Sequence, residues 1–178
     1  MKFYSFFISL LLLAVTGTFF SCSKKQTDRA DGWYTITGNA ADSLSREPIV
    51  TYRDFVDLRL DSSVNEATGD TLFVIIGKTG KQGTERFAEA TEKSIGKCIA
   101  FVFDNTIISA PQVNMRIDSG NFMISSRKGD DIPLIYRTLK EEKIEAAREA
   151  FPQIANDPAL SAAQKDSVLF KADLPEIK

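Results

Sequence analysis

Two cysteines and no histidine set the chemistry open to this chain of 178 residues. Cys22 ends the run Phe19-Phe20-Ser21-Cys22, which follows Lys2 and an almost unbroken apolar stretch from Phe6 to Val15. A charged start, an apolar middle and a small residue before a processing point make an export signal. The cysteine stands where a lipoprotein signal peptidase finds its acyl-accepting thiol, after a large apolar residue, a variable position and a small residue; Phe19 replaces the commoner Leu. The apolar stretch is short of the about 20 residues that a spanning helix needs. The expectation is a signal peptide over residues 1–21 and a lipoprotein whose membrane anchor is the palmitate-type acyl group on Cys22. Stable anchoring needs more than one chain, each buried methylene contributing about 0.8 kcal/mol, and a diacyl or triacyl group supplies that. Ser23 stands where some bacteria use an acidic residue for inner-membrane retention. That points to a cell-envelope site at the outer membrane, facing the periplasm.

With Cys22 acylated, Cys98 is left alone and no internal disulfide can form, so the fold must hold by its core. Within Lys97-Cys98-Ile99-Ala100 this thiol is expected as a small buried apolar residue, with no histidine to activate it. The acids Asp54, Asp57, Asp61, Asp104 and Asp118 are scattered, and the pair Asp130-Asp131 suits a helix start, where the dipole favours negative charge. No Gly-rich phosphate loop, no Ser/His/Asp set and no ligand-spaced cluster is present. The chain is expected to be no enzyme and to need no cofactor and no metal.

The balance of 22 basic and 24 acidic residues gives a net charge of −2 and offers no nucleic-acid surface. Residues 22–31 comprise the lipidated cysteine and a polar tether without period. A folded domain over 32–151 opens at Gly32-Trp33-Tyr34, and 152–178 forms a C-terminal extension in which Pro152, Pro158 and Pro175 bracket a short helix from Pro158 to Phe170. That helix either docks on the domain or stays apart from it.

Inside the domain, Thr71 to Ile76 is a β-branched, apolar strand stopped by Gly77; its unbroken run makes it central and covered on at least one face. Phe87, Ala88, Thr91 and Ile95 fall at helical spacing from Thr84 to Ile95, with Gly96 just past the end. Ile99 to Phe103 is a second strand, turned by Asp104-Asn105 into Thr106-Ile107-Ile108, with Pro111 ending the run. Val113 to Ile117, a turn at Ser119-Gly120 and Phe122 to Ile124 continue as short strands. The clearest helix carries Ile132, Ile135, Tyr136, Leu139, Ala146 and Ala150 on one face, capped by Asp130 or Asp131, with Pro133 in its first turn. Upstream, Pro48 to Leu60 suits a short helix entered at Thr51 and then a strand around Leu58 to Leu60. The class is α+β: an antiparallel-rich mixed sheet with two main helices on one face.

Four spaced segments carry more than periodicity does: Gly83 with Phe87 and Thr91; Gly96-Lys97 with Ala100 and Asp104; Ile108-Ser109-Ala110-Pro111; and Ile117, Gly120 and Ile124. In order and spacing they resemble the head of the first periplasmic domain of the SecD protein-export subunit, over roughly residues 47–125. The resemblance implies that head's fold. Asp104-Asn105 departs from the family's Asp-Gly, and no segment after residue 21 is apolar enough to supply the family's membrane-spanning helices. Most matched positions describe a backbone path. Gly96 ends a helix, Pro111 breaks a strand, and Gly120 makes a turn. Two functions follow as expectations: a non-enzymatic envelope module that binds a polypeptide or envelope protein in export or assembly, or a structural, self-associating lipoprotein. Sequence leaves the oligomeric state open.

Overall fold

The β-branched run beginning at Thr71 forms the middle of a sheet because it has a partner on each side. In the computed structural model, which describes residues 29–38, 43–126 and 129–175, β3 (Phe55–Val64) and β4 (Thr71–Thr79) form an antiparallel hairpin. On its other side β4 pairs with β7 (Asn121–Ser125), giving a three-stranded sheet in the order β3-β4-β7. Gly77 does not stop the strand as expected. It lies opposite Leu58 and Phe122 in register, and a Cβ there would come within 2.2 Å of the Phe122 ring, so the missing side chain makes room for that ring. The export signal, Cys22 and the tether up to residue 28 lie outside the described residues.

Gly32-Trp33-Tyr34 begins β1 (Gly32–Thr35), which lies between β2 (Val50–Thr51) and β5 (Ile99–Phe103). With β6 (Thr106–Ser109) these make a four-stranded sheet, β2-β1-β5-β6. Every ladder in both sheets is antiparallel. The α+β class therefore stands, with the strands divided between two sheets. Between β5 and β6, Asp104 and Asn105 take φ of 45° and 58°, the left-handed pair that a two-residue hairpin turn requires. Val113 to Ile117 is not the strand expected. Its backbone is spent elsewhere: Gly96 N–H donates to Val113 C=O at 2.8 Å, and Ile117 N–H donates to the Thr91 hydroxyl at 3.0 Å.

Helix α1 (Lys81–Lys93) starts three residues before Thr84 and ends before Ile95. Gly80 caps its start, with Thr84 N–H donating to Gly80 C=O at 2.8 Å; Ile95 is half exposed and falls outside the packing face. The 3₁₀ turn Tyr52–Asp54 is entered at Thr51, as expected, through a reciprocal capping box between Thr51 and Asp54. The strand that follows runs from Phe55 to Val64, longer than expected at both ends. Helix α2 (Ile132–Ala150) is capped by Asp131, whose carboxylate accepts from Leu134 N–H at 2.9 Å. Beyond it come α3 (Pro152–Ala155) and α4 (Ala162–Lys171), the latter starting at a Ser161 capping box and not at Pro158.

The core joins both sheets and the helices through aromatic rings. Trp33 lies edge-on to Phe87, Phe101 and Phe122, with centroids 5.5 to 6.1 Å apart, and Phe55 lies 4.6 Å from Phe122. Such pairs contribute about 0.5–1.5 kcal/mol each beyond the area they bury. Phe87, from α1, is thereby core. The C-terminal segment docks: Phe170 packs into this same core, while Leu169 and Leu174 are buried against Ala146 and Ala147 of α2.

Candidate polypeptide-binding cleft

The scattered acids do not gather into a site. Asp54 closes the capping box and pairs with Arg86 at 2.5 Å. Asp57 and Asp61 lie exposed on β3, Asp61 with Arg59 at 3.8 Å; Asp118 pairs with Arg116, and Asp130 accepts from the Ser126 hydroxyl. Among the described residues no group of three or more His, Cys, Asp or Glu side chains could hold a metal ion. Cys98 is half-buried, not enclosed as expected, because its strand-like neighbourhood ends in a single bridge to Gln112 at the edge of the sheet.

The spaced segments divide by exposure. Thr91 is fully buried: its hydroxyl donates to Phe87 C=O at 2.8 Å and accepts from Ile117 N–H, so it straps the following loop to α1. Gly120, at φ +67°, accepts from Thr79 N–H at 3.0 Å, and a Cβ there would lie 2.2 Å from the Thr84 hydroxyl. Both glycine conformation and glycine size are required at that point.

The remaining segment is exposed at Ala110, Pro111 and Gln112, while Ile108 belongs to the core. Ile107 through Gln112, together with Ser125 of β7, line an open cleft of about 390 Å³ where the edge of one sheet approaches the edge of the other. Among the described residues no charged side chain lines it. Its walls are fixed at both ends. The hairpin turn is held where Asp104 N–H donates to Asp31 at 2.8 Å and Arg29 N–H donates to Asn105 at 3.0 Å, so the last tether residues are part of the fold. Past β6, Ile99 N–H donates to Pro111 C=O at 3.2 Å, Val113 N–H donates to Lys97 C=O at 2.8 Å, and the Gln112 amide donates to Gly96 C=O at 3.2 Å. β6 is paired only with β5, and β7 only with β4. Such an edge can accept an extended chain through main-chain hydrogen bonds, with walls of mixed apolar and polar side chains.

Sequence reasoning passed over one buried charge. Lys143 is fully buried on the core side of α2, four residues after Leu139 and three before Ala146, so a cation interrupts the apolar stripe. Its ammonium donates to Arg53 C=O at 2.5 Å and Ala172 C=O at 2.8 Å, tying the 3₁₀ turn to the C-terminal segment. Burial lowers its pKa to about 8, against the opposing pull of Asp173 and Asp54.

Among the described residues no helix is long and apolar enough to cross a membrane. The protein translocase subunit SecD of Desulfurispirillum indicum is 33% identical over 103 residues, covering 53% of this chain and 20% of that protein; the chain thus spans about a fifth of its relative's length. A solved structure of SecDF, a membrane component that enhances protein export, aligns with a TM-score of 0.45 at 24% identity, covering 56% of this chain and 43% of that one. A crystal structure of SecDF in a super-membrane-facing form aligns with a TM-score of 0.46 at 20% identity, covering 65% of this chain and 17% of that one. The family model for the SecDF P1 head subdomain matches residues 38–131, more than half of the chain, and the chain belongs to that family.

Proposed function

We propose that this chain is a non-enzymatic envelope lipoprotein that uses its P1 head to hold an extended segment of another polypeptide, as an accessory to protein export or envelope assembly. One observation carries the reading: of the segments that define the head, Ile108-Ser109-Ala110-Pro111 lines an open cleft between two sheet edges in which no charged side chain stands among the described residues. The others are spent on turns, straps and core. Acylation at Cys22 would keep the head at the outer membrane, facing the periplasm, within reach of emerging chains.

The test of the cleft is Ala110→Arg. Ala110 is exposed, so the larger side chain fits outside the core while occupying the cleft. With a reduced, carboxymethylated polypeptide as probe, the variant should bind about tenfold or more weakly, a loss of about 1.4 kcal/mol. Its unfolding midpoint should match the parent's. Unchanged binding would remove the cleft from the function. The anchor is tested separately. Cys22→Ala should abolish the acyl mass and release the protein from membranes, and retention without a mass change would refute lipidation at this residue.

A further inference from the structure

A two-residue hairpin turn with both residues left-handed favours glycine at its second position. Here that position holds Asn105, at φ 58°, after Asp104 at φ 45°. Asn105 supplies what glycine lacks, a side-chain oxygen, and it accepts from Arg29 N–H at 3.0 Å. Asp104 is engaged too, its N–H donating to the Asp31 carboxylate at 2.8 Å. Both residues of the turn are thus gripped by the end of the tether.

Arg29-Ala30-Asp31, which lies outside any helix or strand, is itself fixed to the body. The Arg29 guanidinium donates to Ser45 C=O at 2.7 Å and stands over the Tyr34 ring, 5.6 Å from its centroid. Ala30 C=O accepts from the Tyr34 hydroxyl at 2.7 Å, and Asp31 C=O accepts from Tyr52 N–H at 3.0 Å. These residues therefore join β1, the 3₁₀ turn and the Ser45 loop to the hairpin. What they hold is a wall of the cleft. β6 begins directly after the turn, has four residues, pairs only with β5, and shifts register opposite Phe101 and Val102. A short, irregular edge strand has little ladder of its own to fix it. Its place is set at its ends, by the turn before it and by the hydrogen bonds of Pro111 and Gln112 after it.

We infer that Arg29 and Asp31 are positioning residues for the cleft: their clasp on the Asp104-Asn105 turn fixes the β6 wall against which an extended chain binds. The segment that leads to the anchor and the wall of the binding site are then one unit. The consequence for binding rests on the polypeptide-binding function proposed above; the positioning of β6 rests on the hydrogen bonds alone.

Hydrogen exchange of the full chain in nonionic detergent, read by mass spectrometry, tests the positioning, and affinity for a reduced, carboxymethylated polypeptide tests its consequence. Asp31→Ala deletes the acceptor of Asp104 N–H. Asn105→Gly deletes the acceptor of Arg29 N–H while giving the turn the residue it favours. Each variant should speed exchange over 104–110 and weaken binding by about fivefold, the effect of one hydrogen bond, and leave exchange in β4 and β7 unchanged. Asp31→Asn keeps an acceptor oxygen and should stay within about twofold of the parent in both measurements. A turn that served stability alone would be unharmed by Asn105→Gly. Parental exchange over 104–110 in both variants, exchange raised equally in β4 and β7, a loosened β6 with parental affinity, or an Asp31→Asn chain that behaves like Asp31→Ala would each overturn the inference. A parent that binds no polypeptide would overturn the proposed function, and the exchange comparison would still decide whether the clasp positions β6.

Discussion

Phe87 and Lys143 show how much a single side chain decides. Phe87 is 1% exposed and meets Trp33 at 6.0 Å and Phe122 at 6.5 Å, so truncation leaves a cavity at the junction of α1 with both sheets. Phe87→Ala should cost about 3–5 kcal/mol by urea unfolding, while Glu85→Ala, on the exposed side of the same helix, should stay within about 0.5 kcal/mol. A small loss at Phe87 with a large loss of polypeptide binding would move Phe87 from core to interface. Lys143 behaves in the opposite sense to a surface lysine. Its folded pKa of about 8 lies below the ordinary value, so between these two limits the unfolded chain binds the proton more tightly than the folded one. Stability from this group therefore rises as pH climbs from about 8 towards about 10.4, by on the order of 3 kcal/mol in full. The measurement is the difference in unfolding free energy between pH 7.5 and pH 10 for the parent and for Lys143→Met. The parent should gain relative to the variant; parallel pH profiles would show that the ammonium is not desolvated in the folded state.

At the scale of elements, hairpin and helix signals were legible where local chemistry decided them. Asp104-Asn105 marked its turn because few side chains tolerate two consecutive left-handed residues, and Asp131 marked the start of α2 because its carboxylate caps Leu134 N–H. The turn can be tested directly. Asn105→Ala removes both the acceptor for Arg29 N–H and the tolerance of positive φ, whereas Asn105→Gly removes only the acceptor. Ala should therefore be less stable than Gly by about 1 kcal/mol. Equal stabilities would mean that the turn relaxes to another type. Illegible elements were those decided by distant partners. Gly77 looked like a strand stop because nothing local announces the Phe122 ring that fills its place, 45 positions away. Val113 to Ile117 had strand composition, but its amides went to a helix hydroxyl and a helix-end loop. The exposed cleft was equally hidden, since Ile108-Ser109-Ala110-Pro111 is ordinary strand-end sequence until β7 comes alongside it.

For the whole molecule, the boundary drawn at Phe151 from sequence meets a physical obstacle. Periodicity separates residues 152–178 from the domain because prolines interrupt the chain there, and prolines report on helix ends without reporting on docking. In the structure Phe170 enters the main core, Leu169 and Leu174 close over Ala146 and Ala147, and Ala172 C=O accepts one of the hydrogen bonds of the buried Lys143 ammonium. Ending the chain at Phe151 would expose the apolar surface these residues cover, at about 1.5–3 kcal/mol for each large side chain, and would open Lys143 to solvent. Against a total stability of about 5–15 kcal/mol for a domain, that loss is a substantial share. A chain ending at Phe151 should unfold at a lower urea concentration than the full chain and with a smaller dependence on denaturant, because less surface is buried in its native state. It should also lose the pH-dependent gain assigned to Lys143. If the shortened chain kept the midpoint, the denaturant dependence and the pH profile of the full chain, α4 would be an ornament on a domain complete at Phe151.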